Sequence, residues 1–196
     1  MAVIETKFVL GPEGWCSYDY HASIVAGQNI FIQTTWSPDG GIEGGGYVWA
    51  DHTRWSADTP EKPLSILPLI RYQGWVGKGP VDLRGAELAV SLRGDGLQFD
   101  GTDCYFWAHI SGTRWHCGGR PIEVPEGRWP AEPTRFVLEA DEALWYHSWS
   151  RDPANATGLE QVLAAAESYG FSFVGFGGEV SGRLSLGSFA ISSPID

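Results

Sequence analysis

Helical periodicity occurs in one segment of this chain, which confines it to a mostly β fold. Within residues 157–169, Leu159, Val162, Leu163 and Ala166 recur at the i, i+3, i+4, i+7 spacing of a single buried stripe. Thr157 and Glu160 have the spacing of a capping box, and Gly170 supplies a left-handed stop, so one short helix is expected there. Elsewhere, short runs of Val, Ile, Phe, Tyr and Trp are separated by Gly, Pro and Asp, the pattern of antiparallel strands. Strands are expected near 5–10, 20–25, 29–36, 46–50, 65–73, 86–93, 104–111, 134–140, 143–148, 171–176 and 181–193.

Because successive strand residues face opposite ways, Cys104, Phe106, Ala108 and Ile110 share one face, while Tyr105, Trp107 and His109 share the other. The first face reads as core. The second sets a phenol, an indole and an imidazole in a row, suited to touching a ligand or to lying under a loop. The glycine-rich stretch 39–46 reads as a loop, in which glycine serves a tight turn or the close approach of a ligand. No repeat or linker divides the 196 residues, so residues 1–196 are expected to form one domain.

Charge narrows the partners. Lys and Arg number 13 against 24 Asp and Glu, a net charge of -11 that repels phosphate backbones and anionic lipid surfaces. The expected partner is therefore a saccharide or another neutral small molecule, with no nucleic acid and no membrane; the oligomeric state stays open. Three cysteines, Cys16, Cys104 and Cys117, match neither a zinc-site spacing nor a disulfide framework and read as buried thiols. No secretory signal or transmembrane run is visible, so the cytoplasm is the default compartment unless a leader has been removed.

The stretch 81–97, VDLRGAELAVSLRGDGL, resembles galactose-binding-like β-sandwich domains, the group that includes carbohydrate-binding modules and laminin IV domains. The similarity lies in the turn Asp82-Leu83-Arg84-Gly85, a following strand, and a polar hairpin at Arg93-Gly94-Asp95. Toward the C-terminus, Trp145, the helix from Leu159 and the run 170–191 continue the likeness. The resemblance implies an antiparallel jelly-roll β-sandwich with one short helix near the C-terminus, its last strand closing against the N-terminal one, and a possible structural Ca²⁺ whose ligands it does not place. Because this fold hosts many activities, function has to come from a site.

Ten tryptophans give the candidates for one, since many adjoin His, Arg or Asp. A flat ring covers the C–H face of a sugar while neighbouring polar groups bond its hydroxyls. Trp15, Trp36, Trp75 and Trp145 are expected in packing roles. Trp49, Trp55, Tyr105, Trp107 and Trp115 are the candidate stacking residues, with Arg71, His52 and His109 as hydroxyl partners. The leading expectation is a lectin-like domain that binds a neutral saccharide.

The alternative is a small enzyme, a lyase, isomerase or hydrolase. It would use His109 or His52 as general base while Tyr105 and Arg71 polarise the substrate. His52, His109, His116 and His147 with Asp51 have no diagnostic metal spacing. Glu139, Asp141 and Glu142 read as a solvated turn, and no nucleophile elbow or phosphate loop is present.

Overall fold

The computed structural model describes residues 3–18, 25–28, 30–57 and 65–192. Two antiparallel sheets face each other. Sheet A has the order β11 (Thr134–Val137), β8 (Glu87–Gln98), β14 (Ser181–Ser192), β5 (Tyr47–Asp51) and β4 (Thr35–Ser37), with β1 (Val3–Thr6) paired to β14. Sheet B has the order β12 (Tyr146–Ser150), β10 (Thr113–His116), β9 (Asp103–Ile110), β13 (Ser168–Val174), β7 (Ser65–Tyr72), β2 (Trp15–Tyr18) and β3 (Phe31–Gln33), with β6 (Ser56–Ala57) on β7. The fold is an antiparallel β-sandwich with a short helix, α1 (Leu159–Ala164).

Alternation builds the core. Leu88, Val90 and Leu92 of β8 and Leu184, Leu186, Phe189 and Ile191 of β14 point inward from sheet A. Phe106 and Ala108 of β9, with Tyr169, Phe171 and Phe173 of β13, answer from sheet B. Trp15 stacks on Phe171 at 5.6 Å between centroids and meets Phe189 edge-on at 5.0 Å, tying the sheets together. Cys16, Cys104 and Cys117 are free and buried, as expected, and burial raises the thiol pKa of each, Cys117 to about 12.

The C-terminal strand does close against the N-terminal one, with Val3 to Thr6 opposite Ser192 to Phe189. The turn at Asp82 also holds. The Arg84 amide donates to Asp82 Oδ1 at 3.0 Å, and Gly85 takes φ 65.

Three stretches depart from expectation. The helix is shorter than 157–169: its N-cap is Gly158, with no side-chain cap, and Gly170 lies within β13. The backbone at Ala166 pairs with Val81 instead of adding a further helical turn. Arg93-Gly94-Asp95 is not a hairpin but the middle of β8, which runs on to Gln98 because β14 pairs with it along almost its whole length. The run 29–36 is two strands. Phe31–Gln33 joins sheet B and Thr35–Ser37 joins sheet A, and the chain crosses at buried Thr34, whose hydroxyl donates to the Trp15 carbonyl at 3.0 Å.

Strands at Trp15–Tyr18, Ser56–Ala57 and Thr113–His116 were not anticipated. The strand expected at 20–25 falls largely outside the described residues. Among the described residues no helix is long and apolar enough to cross a membrane.

Candidate functional site, a furrow on the outer face of sheet B

The outer face of sheet B is shaped by β13. Tyr169, Phe171 and Phe173 turn into the core, so the outward positions of this strand are Ser168, Gly170 and Ser172. Small residues along a central strand leave a furrow between its larger neighbours. On one side are Tyr105, Trp107 and His109 of β9, registered opposite Ser172, Gly170 and Ser168. On the other are Leu67 and Ile70 of β7, which with Cys16 and Trp107 form a second apolar cluster outside the main core.

Trp107 is 3% exposed, lies across the furrow floor and donates its indole N–H to the Phe171 carbonyl at 3.0 Å. A Cβ on Gly170 would stand 3.0 Å from its Cζ2, so this ring position requires glycine.

The furrow contains two hollows separated by Arg114. This arginine is 6% exposed, with its guanidinium 5.8 Å from the Trp107 centroid and 5.9 Å from that of Trp149. It donates to Ser65 Oγ at 3.1 Å and Ser148 Oγ at 3.3 Å. The first hollow, about 270 Å³, is lined by Trp107, His109, Trp149, Ser168 and Arg151 and reaches Tyr18 and Phe31. The second, about 820 Å³, is lined by Asp103, Tyr105, Tyr146, His147 and Gly118.

Beyond the first hollow, Phe31 stacks on Tyr72 at 5.5 Å and touches Trp75 at 5.2 Å. Trp75, expected in packing, is 47% exposed at that end.

Polar atoms face this surface without partners. Ser56 Oγ, Ser172 Oγ and both ring nitrogens of His116 are buried and make no hydrogen bond among the described residues. Ser56 is registered opposite Leu67, Ser172 opposite Tyr105 and His116 opposite Trp107, which places all three on the furrow side. His116 stacks flat on Tyr146, with centroids 5.4 Å apart at 14°. Burial, reinforced by the Arg114 charge, holds its pKa well below the ordinary histidine value.

His109 Nδ1 is 3.2 Å from Ser168 Oγ. Burial, then Arg114 and Arg151, lower its pKa to about 4 against an opposing pull from Glu167, so the ring is neutral at pH 7. Burial and a 3.1 Å hydrogen bond to Asp103 raise the Tyr105 phenol.

The eight residues picked out by sequence do not form one cluster. Tyr105, Trp107 and His109 share the furrow. Trp115 sits opposite Ala108, packs against the core and donates to the Thr157 carbonyl at 3.0 Å. Trp55 lies against the core beside Phe173, 5.4 Å between centroids. Arg71 pairs with Trp15 and Tyr169, faces the interior, and reaches across to Thr6 Oγ1 at 3.4 Å. Trp49 is on the outer face of sheet A under the Arg183 guanidinium at 3.7 Å, and exposed His52 bonds to the Gly182 backbone. Two-residue periodicity explains the split, because Trp49 and Trp107 belong to opposite layers of the sandwich.

The acid–base set of His109, Tyr105 and Arg71 is divided in the same way, with Arg71 facing the interior. Among the described residues no three His, Cys, Asp or Glu side chains gather to hold a metal. Glu139, Asp141 and Glu142 are exposed in a turn. The glycine loop approaches its own chain: a Cβ on Gly46 would stand 2.1 Å from the Phe8 carbonyl oxygen.

Sequence reasoning passed over Arg114, Trp149, Arg151 and the β13 serines. The alternation Ser-Tyr-Gly-Phe-Ser-Phe at 168–173 carries the signal, small outward and aromatic inward.

No family model and no curated protein sequence matches the chain. Solved structures do. The chain is similar to the carbohydrate-binding module CtCBM11, with 11% identity and a TM-score of 0.42 over 100% of this chain and 98% of that one. It is also similar to a candidate sugar-binding protein from Bacteroides thetaiotaomicron VPI-5482, with 9% identity and a TM-score of 0.40 over 83% and 82%. The likeness is one of fold.

Proposed function

We propose that this protein binds a saccharide in the furrow of sheet B without transforming it. The observation that supports the reading is the pairing of aromatic faces with imidazole and carboxylate groups in the two hollows beside one small-residue strand. Trp107, Trp149 and Tyr105 offer apolar surface to the C–H faces of sugar rings, each contact worth about 0.5–1.5 kcal/mol beyond area burial. Neutral His109 offers a ring nitrogen and Asp103 a carboxylate to sugar hydroxyls.

Calorimetric titration against a panel of oligosaccharides tests the proposal. Trp149→Ala and Tyr105→Ala are expected to weaken binding at least about tenfold, while Trp49→Ala, on the opposite face, leaves it unchanged. Binding that survives both furrow substitutions, or that Trp49→Ala abolishes, overturns the assignment.

A further inference from the structure

The two hollows differ in charge. In a chain with 24 acidic and 13 basic residues, no carboxylate among the described residues lines the first hollow, whereas Arg151 at its rim and Arg114 at its inner side do. The second hollow has the reverse character, with Asp103 and no Lys or Arg among its described lining residues. Arg114 is already engaged with Ser65 and Ser148. Arg151 is exposed and its guanidinium makes no hydrogen bond or ion pair among the described residues. The Glu167 carboxylate also acts on His109, but it accepts from the Ser111 amide at 3.1 Å and does not line the hollow.

We infer that the saccharide carries a carboxylate, a uronic acid unit, which sits in the first hollow against Arg151 while uncharged units extend toward Tyr105 and Asp103. This rests on the furrow being a saccharide site. A planar guanidinium matches the two oxygens of a carboxylate, and Trp107 and Trp149 line the hollow beside it. Asp103 repels a second negative charge at the far end, which sets the direction of the chain along the furrow. The overall charge of -11 acts at long range and is screened by salt, whereas the Arg151 contact is local.

A glycan array of neutral, uronic acid and sulfated oligosaccharides, followed by calorimetry with the best uronic acid oligomer and its methyl ester, tests this. The expected result is preference for uronic acid oligomers, affinity at least about tenfold lower for the methyl ester, and loss of that difference in Arg151→Gln. Equal affinity for acid and ester, or preference for neutral or sulfated glycans, overturns the uronic acid assignment and leaves the saccharide furrow standing. Failure of every saccharide to bind overturns both.

Discussion

His116 concentrates the cost of building this surface. Neither ring nitrogen is bonded to a described residue, and the imidazole lies between the sheet and Tyr146 with no measurable exposure. A buried neutral imidazole makes stability depend on pH in a defined direction. Below about pH 6.5 the unfolded chain protonates His109 and His116, while the folded chain leaves His109 neutral to about 4 and holds His116 well below the ordinary histidine value. The unfolded state then binds more protons, so stability falls as the pH is lowered, by up to about 1.4 kcal/mol per pH unit for each ring. Asp51 and Asp82 have lowered pKa values and lose their contribution only below the ordinary carboxylate range, leaving the window from 6.5 to 4 to the histidines. Urea unfolding at pH 7, 6, 5 and 4 is expected to show this decline. His116→Phe keeps the flat stack on Tyr146 and is expected to remove one proton's share of the slope; an unchanged slope would show that His116 protonates in the folded state.

Strand β13 carries most of the furrow's shape, through one glycine. A Cβ at Gly170 would lie 2.2 Å from the Leu69 carbonyl oxygen as well as against Trp107, both parts of packed strands with little room to move. Gly170→Ala is expected to lower the unfolding free energy by about 2 kcal/mol or more and to shift the Trp107 emission. Gly79→Ala, whose added Cβ meets nothing within 4 Å, is expected to change stability by less than about 0.5 kcal/mol; similar losses at both sites would overturn the packing account. The same glycine marks the limit of local reading. In sequence, Gly170 follows an amphipathic stripe and fits a helix stop, but the backbone at Ala166 is engaged with Val81 and the chain is already extended at Ser168. Arg93-Gly94-Asp95 misled for a similar reason. Its polar composition suits a turn, but these side chains lie on an outer sheet face where Arg93 covers Tyr47 and Trp129 at 5.0 and 4.4 Å.

Across the whole molecule, β14 organises sheet A. It pairs with β8 on one side and is flanked on the other by β5, opposite Arg183 to Leu186, and by β1, opposite Phe189 to Ser192. Strand β1 also anchors sheet B, because buried Thr6 accepts from Arg71 and from the Trp15 indole. Deleting residues 1–6 is therefore expected to cost at least about 2 kcal/mol through Ile4 and Thr6 burial alone, and to open Phe189 to Ser192 to amide exchange. Retained protection at those amides would show that β14 holds its place through β8 by itself.

By itself, the sequence determined the class of fold, the inward face of most strands and the tyrosine, tryptophan and histidine row of β9, because a two-residue period and turn chemistry are local properties. Which of its tryptophans share a surface was decided by the tertiary structure. Strand order and the crossing at Thr34 assign Trp49 and Trp107 to opposite layers, and only the packing of distant strands brings Arg114, Trp149 and Arg151 beside His109.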